Sequence, residues 1–279
     1  MDIPQRKNSA RGKPPEDKYP RMIHSLTNIH PDARIGENVT IEAFSTIEGD
    51  VEIGEGTWIG PNVTILDGSR IGKNCEIHPG AVISNKPQDL KFKGEKTWTE
   101  IGDHTVIREC ATVNRGTAQS GKTVVGAHCL VMAYVHIAHD CNLADHCIIA
   151  NACQIAGHVT IEHNARLGGL TAVHQFVNIG AHTMIGGGSL VRKDVPPYIM
   201  AAREPLIYNG VNSVGLQRSG FSNQKVSEIQ EVYRYFFLRG NNKIQALKLI
   251  EQDLPPSEEK EHILDFIRNS ERGIIKGYY

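Results

Sequence analysis

The chain lacks any strong excess of charge: its 279 residues carry a formal net charge of −1. A nucleic-acid partner is therefore not indicated, because such surfaces are strongly basic. It also lacks a window of about 18 apolar residues, so no helix is expected to span a membrane. Residues 1–21 lack even a short apolar run and hold four prolines, with six Lys/Arg and three acids. That composition excludes the apolar core of a signal peptide, and the acids argue against a transit peptide. Residues 1–21 are read as a disordered leader or tag, with Met22 as the natural start. The expectation is a cytoplasmic protein whose length supports a core without staples.

What the sequence does have is a clock. Isoleucine stands at every sixth position from Ile29 to Ile83, and the beat resumes in phase at Ile101, Ile107 and Val113. It runs again from Val125 to Val191. Four residues after each beat comes a small or β-branched residue, as at Ala33, Val39, Ser45 and Val51. Helices repeat near 3.6 and strands near 2, so neither alone produces six. The period is the signature of a hexapeptide β-helix, with one short strand and one turn per hexad. The fold class predicted is an all-β solenoid, a left-handed parallel β-helix over 22–200, followed by a small α-helical domain over 201–279. Three hexads close a triangular coil, and coils stack about 4.8 Å apart.

Two stretches break the beat, 84–100 and 115–123. Both are expected to leave the coil as loops, where binding residues concentrate. Cys75, Cys129, Cys141, Cys147 and Cys153 fall at the small inward position and read as packed thiols, with Cys110 alone at a turn. After Val195 the beat stops, the two prolines at 196–197 end the solenoid, and from Ser222 the spacing turns helical. Helices are expected from Ser222, over Lys243 to Gln252, and from Ser257 to about Arg272. They cap one end of the stack.

The frame also sorts the thirteen histidines. His104, His128, His146, His158 and His182 share the fourth position of a hexad, with Asp32, Asn38, Asp50 and Gly56 elsewhere. That is the composition of a left-handed turn. His136, His139 and His174 face outward. An offset of 18 residues returns to the same spot one coil on, so His139, His158 and His174 are expected to form a column, with His136 beside it. Three readings stay open on the residues alone. Three imidazoles bind Zn²⁺ and activate water; one histidine acts as general base, oriented by Asp140 or a carbonyl; or the cluster is hydrogen-bonded and does no chemistry.

Longer motifs narrow this. "HIAHDC" at 136–141, "AGHVTI" at 156–161, "GGLTAVHQF" at 168–176 and "VPPYIMA" at 195–201 resemble the UDP-N-acetylglucosamine O-acyltransferase family, hexapeptide-repeat enzymes that begin lipid A synthesis. So do "PQDLKF" at 87–92, "IRECATVNRGT" at 107–117 and "NGVNSVGLQRSGF" at 209–221. The resemblance implies transfer of a 3-hydroxyacyl chain from acyl carrier protein to the 3-hydroxyl of UDP-N-acetylglucosamine, with no metal and no cofactor. It implies His139 as base, Asp140 as its orienter and the Gly157 N–H as oxyanion donor. Gln88, Asp89, Lys91, His136, His158, His174, Gln175, Asn212 and Arg218 match substrate-binding positions. Met184 and Gly187 match the positions that measure acyl-chain length, and the glycine favours a long chain. Val214 and Ser219 stand where relatives often carry an acid and a second arginine. A homotrimer with sites between solenoids is also implied, a common closed symmetry.

Rival readings are a 3-amino nucleotide sugar as acceptor, a trimeric zinc carbonic anhydrase on the same solenoid, and a non-catalytic scaffold. An N-acyltransferase with a uridine-binding domain before the solenoid is disfavoured, because 28 residues precede Ile29.

Overall fold

The structure, a computed structural model, describes residues 23–277. The leader at 1–21 and the start at Met22 lie outside the described residues. The hexads form short strands, mostly of two residues, that join into three sheets of nine, eight and ten strands, parallel throughout except for the last strand of the third, the faces of a left-handed parallel β-helix. The first sheet includes His136–Ile137, the second Asn142–Leu143 and the third Ile148–Ile149. Register follows the 18-residue coil: His136 pairs with Gln154, and Gln154 with Ala172.

The beat residues fill the interior. From Ile41 to Ile83 every one is at most 4% exposed. The fifth-position residues close the gaps between them, and the five cysteines placed there are all buried, while Cys110 is exposed. The fourth position is left-handed at His104, His128, His146, His158 and His182, with φ between 56° and 62°. Asp32 and Asp50 do not share this conformation, contrary to the pattern. Asp32 follows Pro31 in a turn whose N–H donates to His30 Nδ1 at 3.2 Å. Proline ahead of it suits a type I turn, which needs no positive φ. Asp50 is held in a bend by Asp67 Oδ1 on its N–H and by Arg70 on its carboxylate.

The beat breaks between the strands Val82–Asn85 and Trp98–Ile101, and again between Thr112–Asn114 and Lys122–Val125. Both loops stand beside the first sheet, next to His136–Ile137. After Val191 the strand Ile199–Ala202 extends the third sheet, and Ile207–Val211 pairs antiparallel with it, a hairpin that periodicity did not reveal. Four α-helices follow, α1 (Ser213–Arg218), α2 (Asn223–Tyr233), α3 (Lys243–Asp253) and α4 (Glu258–Arg268), with a π-helical segment at Arg234–Leu238 continuing α2. Ser222 and Ser257 cap α2 and α4 as expected, but α4 stops at Arg268, short of Arg272. The short α1 went unread. Tyr233 donates from its hydroxyl to Pro197 O at 2.6 Å, and His262 bridges Tyr198 and Glu162, which ties the helices to the solenoid.

Ile149→Ala should lower the unfolding free energy by about 2–5 kcal/mol, because the cavity lies in a stacked interior. Ile244→Ala, at an exposed site, should change it by about 0.5 kcal/mol or less; urea titrations compare the two. In the native protein a thiol reagent should label one cysteine of six quickly, Cys110, and the remaining five only on unfolding.

Candidate active site

One corner of the prism, between the first and second sheets, carries Ala138, His139 and Asp140. Eighteen-residue stacking places Ala156, Gly157 and His158 on the next coil and His174, Gln175 and Phe176 beyond. Asp140 sits at the left-handed position, φ 61°, which turns its carboxylate back into the protein. That carboxylate is fully buried and accepts from the His139 ring, Nδ1 to Oδ2 at 2.7 Å. Thr117 donates its N–H to Oδ1 at 2.9 Å and its hydroxyl to Oδ2 at 2.8 Å. Ser120 donates its hydroxyl to Oδ1, and the Asp140 N–H donates to Thr123 Oγ1. Burial alone pushes this carboxyl up. The donors from Ser120, His139 and Thr117 outweigh it and hold the group down at about 2. Asp140 is thus an anion and an acceptor only. The His139 Nδ1 must carry the proton, which leaves Nε2 with a lone pair when the ring is neutral.

Gly157 makes room for that ring: a Cβ there would stand 2.7 Å from His139 Cε1 and 2.9 Å from Nε2. The Gly157 N–H makes no hydrogen bond among the described residues. His158 lies edge-on to His139, ring centres 5.1 Å apart, with Nε2 3.7 Å from Asp140 Oδ2. Burial lowers its pKa, opposed by the charges of Asp140 and, from the first loop, Asp89. His136 is half-buried beside the corner, with Nδ1 2.7 Å from Thr112 Oγ1; burial and the neighbouring His139 lower its pKa.

The column expected from His139 through His158 to His174 is not what forms. His158 stacks on Phe176, ring centres 4.5 Å apart, because 158 and 176 differ by one coil and therefore share a position. His174 is exposed, and Arg272 donates to its Nδ1 at 2.9 Å. The three-imidazole zinc site is accordingly not assembled. The ligand atoms of His139, Asp140 and His158 do lie within 4.8 Å of one another. Both Asp140 oxygens, however, are already taken by Thr117, Ser120 and His139.

The other expected residues spread over the prism. Gln88 and Lys91 are exposed on the first loop, and Asp89 Oδ1 accepts from the Lys91 N–H. Gln175 is exposed next to Phe176. Asn212 caps α1 and donates from its side chain to His182 O at 2.9 Å, at the corner between the second and third sheets. Arg218 is exposed in the last turn of α1, as are Val214 and Ser219 nearby. Met184 points outward from the third sheet, and Gly187 is exposed at the corner between the third and first sheets. Within one chain, then, His139, Asn212 and Gly187 mark three different edges.

Sequence reasoning missed Thr117, Ser120 and Thr123. Their signal was the hydroxyl spacing in "TAQSGKT", inside a stretch read only as a loop. It also missed Phe176, which the 18-residue offset from His158 would have found.

Comparisons with known proteins agree with this architecture. Residues 50–85 and 122–157 match the bacterial transferase hexapeptide (six repeats) family. Residues 194–275 match domain 2 of UDP N-acetylglucosamine O-acyltransferase. The acyl-[acyl-carrier-protein]–UDP-N-acetylglucosamine O-acyltransferase of Thiobacillus denitrificans is 41% identical over 255 residues, covering 91% of this chain and 99% of the relative. The enzyme of the same name from a Sulfurihydrogenibium species is 45% identical, covering 90% and 93%. Among solved structures, a UDP-N-acetylglucosamine acyltransferase from Bacteroides fragilis superposes with a TM-score of 0.90 at 49% identity, covering 91% of this chain and all of that one. One from Francisella novicida gives 0.89 at 39%, covering 91% and 94%. With a shared repeat frame, a shared helical segment and this identity over nine-tenths of its length, the chain is an acyltransferase and belongs to the acyl-[acyl-carrier-protein]–UDP-N-acetylglucosamine O-acyltransferase family.

Proposed function

We propose that this chain transfers a 3-hydroxyacyl group from the thioester of acyl carrier protein to the 3-hydroxyl of UDP-N-acetylglucosamine, the first step of lipid A synthesis, in the cytoplasm. The observation that carries the mechanism is the His139–Asp140 pair: an acceptor-only carboxylate fixes the proton on Nδ1 and frees Nε2. Nε2 takes the proton of the sugar 3-hydroxyl as its oxygen attacks the thioester carbonyl. The Gly157 N–H stabilises the oxyanion of the tetrahedral intermediate. Collapse breaks the carbon–sulfur bond, and the proton on His139 passes to the departing thiolate of the carrier. A thioester is already activated, so no metal or cofactor is needed. A positioned base supplies about 10²–10⁴-fold and one oxyanion donor about 10²–10³-fold.

Asp89 on the first loop, with Gln88 and Lys91, is placed to hold the sugar nucleotide against His158, whose titration it influences. His136 and Gln175 flank the same corner, with His174 one coil further along. Asn212 and Arg218 are assigned to the nucleotide, a diphosphate that suits the arginine. Met184 and Gly187 are assigned to the end of the acyl chain. Because these groups occupy three edges of one prism, a complete site needs neighbouring copies, and a homotrimer meets that need. Phe44, Tyr134 and Leu170, 64%, 65% and 72% exposed along the edge between the third and first sheets, supply apolar surface for it.

The test is transfer from 3-hydroxyacyl carrier proteins of several lengths to UDP-N-acetylglucosamine and to its 3-amino analogue. The wild type should acylate the former, a chelator should leave the rate unchanged, and His139→Ala should lower it by at least about 10²-fold. Equal transfer by that variant would refute the mechanism. Gly157→Ala should displace the His139 ring and cost about 10²-fold in kcat, while the thermal midpoint moves by about 2–4 °C or less.

A further inference from the structure

We propose that Thr117 and Ser120, on the second loop, are positioning residues: they clamp the Asp140 carboxylate so that it stays an anion and offers one fixed oxygen to His139. The inference rests on His139 being the base. A buried carboxylate normally needs a cationic partner. Among the described residues Asp140 has no lysine or arginine within ion-pair distance, only His139 and His158. Its charge is carried instead by the Thr117 N–H, the Thr117 hydroxyl and the Ser120 hydroxyl. Oδ2 is shared between the Thr117 hydroxyl and the His139 ring, so the threonine sets the direction from which the carboxylate meets Nδ1.

The loop is shaped to deliver these donors. Gly116 runs so close to the returning strand that a Cβ would stand 2.3 Å from the Lys122 nitrogen, and the Gly121 N–H closes the loop onto Thr117 O at 2.8 Å. The clamp is also joined to the first loop. The Trp98 N–H donates to Gly121 O, the Gly116 N–H to Trp98 O and the Arg115 N–H to Asn85 O. The Arg115 guanidinium lies 5.6 Å over the Phe92 ring. The segment bearing Gln88, Asp89 and Lys91 and the segment that orients the base thus share one support.

Thr117→Val, Ser120→Ala, the double variant and Thr117→Ser are assayed for acyl transfer across pH, beside His139→Ala. The double variant should lose about 10–100-fold in kcat, with KM for UDP-N-acetylglucosamine within about twofold of wild type. A carboxylate held near 2 is invisible to the pH profile. Stripped of its hydroxyl donors the buried carboxylate leans on the His139 ring for its remaining compensation, which favours the imidazolium over the neutral base, so the acid limb of kcat/KM moves to higher pH. Ser120→Ala alone, on an exposed loop, should show the same displacement in smaller measure if the double variant does not fold. Thr117→Ser should restore both rate and profile. A wild-type pH profile in the double variant and in Ser120→Ala overturns the clamp, as does a loss carried by KM or a failure of Thr117→Ser to rescue. Full transfer by His139→Ala overturns the proposed function instead.

Discussion

Everything in this molecule depends on coils stacking in register, one strand spacing apart, every 18 residues. The spacing of about 4.8 Å is set by main-chain hydrogen bonds between parallel strands. It leaves each coil so thin that one β-branched residue and one small residue per hexad fill the interior. That is why the isoleucine beat is strict and why cysteine is welcome at the fifth position. The same register stacks residues at the corners: His104, His128 and His146 lie face to face with ring centres 4.9 Å apart. Similar stacks without evident chemistry show that a row of histidines on such a scaffold is first a consequence of geometry.

The corner at His139 differs from those rows because the register is broken just before it. Two loops leave the coil next to the first sheet, and the second returns hydroxyl donors to Asp140. A carboxylate buried at a left-handed turn would ordinarily take up a proton. Here short donors hold it ionised, and the histidine beside it is fixed in one tautomer. Gly157, one coil on, leaves space for the ring and presents an unused N–H. The proposed base and its orienter thus stand on one coil and the proposed oxyanion donor on the next, with the loop supplying the donors that hold the orienter.

Much of this was legible beforehand, and the failures are instructive. The coil, its interior and the cysteine assignment follow from periodicity, because a repeat of six has one economical solution. The closeness of Gly157 to His139 follows from the 18-residue offset, whereas Asp140 is simply the next residue in the chain. The supposed continuation to His174 failed by two residues: position 176, not 174, lies over 158, and a phenylalanine occupies it. The hairpin at Ile199–Val211 and α1 were not legible, since neither repeats anything and each is too short for its own period to register.

The solenoid, its inward residues and the order of groups along each edge follow from periodicity, because register in a parallel stack is arithmetic once the period is known. What the two interruptions do is set by three-dimensional packing. Loops obey no period, and where Thr117, Ser120 and Asp89 end up depends on close main-chain approaches at Gly116 and Trp98 that no spacing encodes. The fold also places His139, Asn212 and Gly187 on three separate edges, because the chain turns a corner between each sheet and the next.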